Sequence, residues 1–485
     1  MVFDHMDWGI EDCNFVRNSA DSLGGSIFVL DTTGFIRNCT FAADSVAAGS
    51  GGSVAINKTG GVAEADTFAV EGCTFNESYA ARGGAIYLHE ASEYRISGCQ
   101  FTSTSADRGG GVFVDGDERT GPSSLPDTTF IENCLARVCS ATEGGFLYID
   151  DGLALLRESV IVGSTGKGAG VYWRKGGDPG RWSNLTFAFG DGNGAGVYLD
   201  GADGSIDLDV EKSVFAYNSV GLNQSLVAIG DSDSVTVSFS CCDSFGNVGG
   251  NGTPAVGDSC FVADPDFCWA EPDSGTFMLS AESPCLPGLH PNDKECGVIG
   301  ARGQGCWVEE FTSCDGTWLD EGNPLAVHST SDTLRIGAYA DSAIAVVRFG
   351  SVDLPDTTTI FSARVDATPY RLVGQPTVDL RACLRSVVMN QANYQVFRIG
   401  SAWGLPGGAE EGVDFGAWSL GSGSGFVTLD PAVLGGGADL GRWVKSTVLP
   451  SDSGTLFVRP SNNKELVIYN CDQIGLRVYS THEPD

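Results

Sequence analysis

Three carboxylates and one guanidinium stand at matching places of a phrase that recurs along this chain. They are Asp115 in GGGVFVDG, Asp150 in GGFLYIDD, Arg174 in GAGVYWRK and Asp200 in GAGVYLDG, with His89 at the same place in GGAIYLHE. Carboxylates on neighbouring rungs of a stacked repeat, about 5 Å apart, drive one pKa up and leave the other ionised, as a retaining glycosidase requires. Rungs two apart, about 10 Å, suit an inverting one better. Asp150 and Asp200 flank Arg174 in that wider arrangement, and Arg174, Lys175 and Arg181 form the densest basic cluster of the chain. Asp150, Arg174 and Asp200 are therefore the candidate catalytic residues. The same Arg between two Asp would equally make a stabilising ion-pair ladder, and stacked Asp is often only solvated surface.

The elements that position these groups come from the phrase itself. It starts at Gly24, Gly51, Gly83, Gly109, Gly144, Gly168 and Gly194, at intervals of 24 to 35 residues. Such a period with insertions is that of a solenoid whose extra residues form loops on one side. Its fourth and sixth letters are apolar throughout, from Ile27 and Val29 to Val197 and Leu199, an inward pair for every coil. Alternation along a strand then turns the fifth and seventh letters outward. The fifth letters are Phe28, Ala55, Tyr87, Phe113, Tyr148, Tyr172 and Tyr198; the seventh are Leu30, Asn57, His89, Asp115, Asp150, Arg174 and Asp200. An outward strip of rings edged by charge offers apolar faces to pyranose rings and acceptors to sugar hydroxyls. Tyr87, His89, Phe113, Asp115, Tyr148, Tyr172 and Tyr198 are accordingly the expected ligand-binding residues. The competing expectation is that the rings stack on each other, or lie beneath the loops at 116–128 and 176–183.

A second phrase precedes several of these: DCNFVRN at Asp12, NCTFAAD at Asn38, GCTFNES at Gly72 and GCQFTST at Gly98. Cys and Phe two apart should both face inward. Neither phrase carries a helical period, so parallel strands stacked coil upon coil fit best. FVRN with GGSI, and GGAI at Gly83, resemble the FxxN and GGAI repeats of polymorphic outer-membrane autotransporter passengers, and more broadly the right-handed parallel β-helix repeat proteins of bacterial surfaces. The resemblance covers about residues 10 to 240. Coils reading FAAD, FNES, FTST and GAG depart from it. β-Helix lyases, as the resemblance implies, use carboxylate-bound Ca²⁺ with an Arg or Lys base, so Ca²⁺ is an optional partner and no cofactor is required. GDGNGAG at Gly190 has only a superficial likeness to a calcium turn.

DPDFCWAEPDSGTFMLSAESPCLPG at Asp264 and CGVIGARGQGC at Cys296 look like the final coil of secreted bacterial β-helix proteins and would cap the solenoid. Beyond Cys306, TLRIGAYADSAIAVVRFG, SARVDATPYRL, YQVFRIG and GLRVYST are alternating strands of an antiparallel sandwich. The module resembles the DNRLRE-type jelly roll, related to carbohydrate-binding modules, with Trp403, Trp418 and Trp443 as faces for sugar or as core. The expected fold is all-β: a parallel β-helix over 1–260, a Cys-rich final coil and cap over 261–314, and a β-sandwich over 315–485.

Composition bounds the partners. With 28 basic and 62 acidic residues the formal charge is −34, which excludes nucleic acid or an anionic membrane as the partner. No stretch of 18 apolar residues exists, so no transmembrane segment is expected. Sixteen Cys, eight of them between Cys241 and Cys314, point to an oxidising compartment, and no export signal is visible in MVFDHMDWGIEDC. The expected location is extracellular or on the cell surface. Three functions fit: a glycan-binding or adhesive surface protein, a polysaccharide lyase or glycoside hydrolase acting along the β-helix face, and a structural spacer or filament component. Neither sugar, disulfide pairing nor oligomeric state follows from the sequence.

Overall fold

A computed structural model describes residues 2–312 apart from 5–7, 59–66, 90–92, 117–127, 176–178, 221–225, 231–232 and 249–258; of 313–485 it describes mainly the strands. The chain is all-β and divides into two units, one of Met1–Asp266, Pro272–Leu279 and Ser283–Gln304, the other of Phe267–Glu271, Ser280–Glu282 and Gly305–Asp485.

The first unit is a right-handed parallel β-helix. Three nine-stranded parallel sheets and one six-stranded sheet run along it, each coil adding one strand to each of the three and, as far as Thr165–Lys167, one to the fourth. The coil of Gly83 shows the plan. Thr67–Glu71 lies in the second sheet, Thr74–Asn76 in the third, Tyr79–Arg82 in the fourth and Ile86–His89 in the phrase sheet. Register is strict: Ile86, Tyr87, Leu88 and His89 face Val112, Phe113, Val114 and Asp115 of the next coil. One-to-one stacking turns each letter of the repeat into a column along the solenoid.

Sharp corners demand left-handed residues, and the repeat supplies them. Asp12, Asn38, Gly72, Gly98, Asn133 and Asn184 precede the third sheet with φ between 51° and 62°. Asn, Asp and Gly tolerate that region best. The phrase's first Gly forms another such corner. Its second Gly answers a different need: a Cβ on Gly84 would lie 2.1 Å from the carbonyl oxygen of Gly110, so only hydrogen lets successive coils close up.

Inside, the expected pairs are buried along the whole phrase sheet, and Phe15, Phe41, Phe75 and Phe101 form a near-parallel stack at 4.9–5.1 Å between centroids. Cys39, Cys73, Cys99 and Cys134 are buried beside them. The place of Asn in FxxN is an internal polar corner. Asn18 donates to Asp44 and Ser26, Ser53 shares a hydrogen bond with Ser78, and Asn218 contacts Asn247. FAAD, FNES and FTST thus keep a buried hydrogen-bonding group where the Asn is lost, at Asp44, Ser78 and Thr104.

The segment expected as a cap over 261–314 is shared between the two units, and its first-unit part does two things. Phe261 bridges to Asp243, extending the third sheet beyond its last strand. The chain then returns along the outside of that sheet: Arg137 donates to Pro272 and Gly275, Asn184 to Val298, Ala301 to Thr186, and Arg302 to Asn133. A disulfide Cys241–Cys296 fixes this strap. Asp243 is fully buried beneath it, accepting from the amide of Ala263 and the thiol of Cys285.

Among the described residues the second unit holds two larger antiparallel sheets and a two-stranded one of Val396–Arg398 and Ser401–Ala402. Of the larger two, one joins Gln304–Thr312, Leu466–Ser480, Ile360–Val373 and Val427–Leu429; the other joins Asp315–Asp320, Ala343–Phe349, Gly454–Pro460, Thr377–Ala382 and Asp414–Ser419. The two larger antiparallel sheets are compatible with the expected sandwich. Trp403, Trp443 and the side chain of Trp418 lie outside the described residues.

Candidate functional site

Three connections in each coil are short and regular, and one is not. Second-sheet strands end three residues before the third sheet begins, as in Glu11 to Asn14, Glu71 to Thr74 and Arg157 to Val160. From the phrase sheet to the second sheet the step varies, from Asp150 to Leu153 up to Asn57 to Thr67 and Asp115 to Thr128. One corner of the β-helix therefore takes nearly all the insertions. The seventh letter of the phrase sits at its lip, so strand alternation and loop placement together bring the charged residues there.

Asp115 accepts from the hydroxyl of Tyr87 at 2.5 Å and lies 3.3 Å from Nδ1 of His89. Burial works upward on its carboxyl, but the hydrogen bonds from His89 and Tyr87 outweigh it and hold it below the usual value. Asp150 is its partner in the next coil. There burial dominates and the charge of Asp115 adds to it, so Asp150 is raised although Arg174 and Arg108 oppose. Neighbouring carboxylates with opposed shifts are the arrangement expected from stacked Asp. Both are half-buried.

Arg174 does not bridge Asp150 and Asp200. A register shift between Ile149 and Asp150 sets Lys175 opposite Asp150 and leaves Arg174 as the extra residue of a bulge. Its guanidinium reaches Asp203 at 2.6 Å and Asp150 at 3.2 Å, and Lys175 pairs with Asp151 at 3.0 Å. The hydrogen bond to Asp203, then the charge of Asp150, holds Arg174 above its ordinary pKa, the wrong direction for a base. Asp200 instead accepts from the hydroxyl of Tyr172 at 2.6 Å. The expected trio is thus split into Asp150–Arg174–Asp203 and Tyr172–Asp200.

The expected ring platform is also revised. Phe113, Tyr148, Tyr172 and Tyr198 stack at 4.8–5.1 Å within 9° of parallel, with Tyr87 tilted against Phe113. They point away from the core, yet Tyr87, Phe113, Tyr148 and Tyr172 are only 6, 1, 1 and 2% exposed, and Tyr198 is half-buried. Cations ending the fourth-sheet strands cover them. Arg82 lies over Phe113, Arg108 over Tyr148, and Lys167 over Tyr172 and Tyr198. Burial raises the hydroxyls of Tyr87, Tyr148 and Tyr172, so they stay protonated donors. The loops at 117–127 and 176–178 lie outside the described residues.

Two features escaped the sequence reading. Asp203 was hidden in GADG, and the cover was readable only as another column, the residue just before each Gly phrase: Arg82, Arg108, Glu143 and Lys167. Among the described residues no group of three or more His, Cys, Asp or Glu could hold a metal ion, and GDGNGAG at Gly190 forms a coil corner in which the amide of Gly190 donates to Asn218. Among the described residues no helix is long and apolar enough to cross a membrane.

Residues 2–187 match the family model described as the right handed beta helix region. Over those residues the match and the stacked parallel sheets agree on a right-handed β-helix repeat. No curated protein matches the chain.

Proposed function

We propose that this is an extracellular or surface-displayed protein that binds glycan or mediates adhesion through the variable corner of its β-helix. The carrying observation is that the insertions and the polar cluster of His89, Asp115, Asp150, Arg174 and Asp203 lie along one edge. Carboxylates and a guanidinium recognise sugar hydroxyls by hydrogen bonds, and solenoids carry their binding surfaces on the face that takes insertions. The covered rings supply stiffness in place of a stacking platform. Two disulfides, Cys241–Cys296 and Cys268–Cys306, support an oxidising compartment. The autotransporter-like phrases and the DNRLRE-like strands of the second unit support the same reading, with Ca²⁺ as an optional partner.

The test is retention of plant, marine and bacterial polysaccharides by the full chain, with and without Ca²⁺. Asp150→Asn with Arg174→Gln should reduce retention at least tenfold while the melting temperature holds; unchanged retention overturns the corner model.

One observation favours a second reading. The opposed shifts of Asp115 and Asp150 in adjacent coils suit a retaining hydrolase, with Asp150 as the acid and Asp115 as the nucleophile. New reducing ends that vanish in Asp150→Asn and in Asp115→Asn would make the protein an enzyme.

A further inference from the structure

The β-helix interior contains a row of thiols that the proposed function does not use. Cys13, Cys39, Cys73, Cys99 and Cys134 occupy one column in five successive coils, and Ser159 ends it. All but Cys13 are buried, and none is in a disulfide. The sulfurs are placed alike. Cys39 donates to the carbonyl of Arg37 at 3.1 Å, and Cys73, Cys99 and Cys134 donate to those of Glu71, Ser97 and Glu132 at 3.4 Å. Each also faces a carbonyl of the preceding coil, from Ile10, Ile36, Val70 and Ile96 in turn. A group held identically in every coil repeats with the coil translation, so consecutive sulfurs stand about 4.8 Å apart.

That spacing matches a particular coordination. Two metal–sulfur bonds of about 2.3 Å laid end to end span about 4.6 Å. Soft monovalent d¹⁰ cations select thiol sulfur and accept two ligands in line, whereas Zn²⁺ needs four. The absence of any three-ligand cluster among the described residues excludes the second geometry and leaves the first untouched. One thiolate and one neutral thiol around a monovalent ion make a neutral unit, which a dry interior tolerates. Cys13 is exposed at one end, and its amide lies 3.4 Å from the sulfur of Cys39, so the row has an entrance.

We propose that the Cys13–Cys134 row binds soft two-coordinate cations of the Ag(I) and Cu(I) type, each held between the sulfurs of successive coils, with release of one proton per ion.

The test counts Ag(I) bound by the full chain in chloride-free nitrate buffer, by native mass spectrometry. Five thiols in a row form two separate adjacent pairs, so wild type should hold about two tight ions above the background of the other free thiols. Cys39→Ser with Cys99→Ser leaves no two neighbours and should lose both. Cys13→Ser with Cys134→Ser removes as many thiols but keeps Cys39, Cys73 and Cys99 contiguous, and should keep about one. Should the Ser pair fail to fold, Cys39→Ala with Cys99→Ala replaces it, and X-ray absorption at the silver edge should show two sulfur neighbours. Equal loss in the two double variants, or no tight ions in wild type, overturns the proposal.

Discussion

Two ring stacks run along this solenoid, on opposite sides of its wall. Phe15, Phe41, Phe75 and Phe101 stack inside at 4.9–5.1 Å; Phe113, Tyr148, Tyr172 and Tyr198 stack outside at 4.8–5.1 Å. Coil spacing sets both, so both look alike ring to ring. Their enclosure differs. Backbone sheets close around the inner stack, whereas the outer one is closed by the ends of Arg82, Arg108 and Lys167. Outward on a β-helix is therefore a direction, and exposure depends on what the neighbouring strand ends with.

The comparison can be broken by substitution. Phe75→Ala opens a cavity that surrounding sheets cannot fill, and should cost about 3–5 kcal/mol in urea unfolding of the first unit. Two carboxyls on the outer face of the wall repeat the contrast between closed and open surroundings. Asp243, buried beneath the strap, is pushed up to about 7 by desolvation, while Asp115, half-buried at the variable corner, is held low. The folded state keeps the Asp243 proton that the unfolded chain releases near pH 4. Stability should therefore fall, by a few kcal/mol, as pH rises from about 4 to about 7 and then level off. Cys285 and Asp264 are the groups facing it, and Asp264 repels the ionised form. Asp243→Asn should flatten that dependence; an unchanged pH profile would remove Asp243 as its source. Tyr148→Ala should cost about 2–3 kcal/mol, less than the inner ring because long side chains can settle into the gap. A cost below about 0.5 kcal/mol would mean that the outer stack is not packed. Arg108→Gln, which loses a half-exposed pair with Glu143 and a ring contact, should cost under about 1 kcal/mol.

Strand alternation made the coil plan readable, since Ile86 and Leu88 could only face in if Tyr87 and His89 faced out. Gly83 and Gly84 were readable as a repeat, although their separate duties, a left-handed corner and a close backbone approach, appear only once coils are stacked. The site was only partly legible. Asp115 and Asp150 fell into one column because register is strict there, and their opposed shifts follow from that. Arg174 left its column because a bulge inserts one residue, and no spacing within a single coil announces a bulge. The cover over the rings was unreadable from the phrase because it belongs to a different sheet.

The returning strap makes the β-helix directional under load. Its bonds to Asn133, Arg137, Asn184 and Thr186 reach back across several coils, and the Cys241–Cys296 crosslink anchors it at the last strands. Tension that peels coils from the strapped end must shear these bonds together, whereas unstrapped coils such as those of Cys39 and Cys73 can separate rung by rung. The β-helix would thus resist pulling unequally at its strapped and its unstrapped coils, as a zip does when one end is sewn shut.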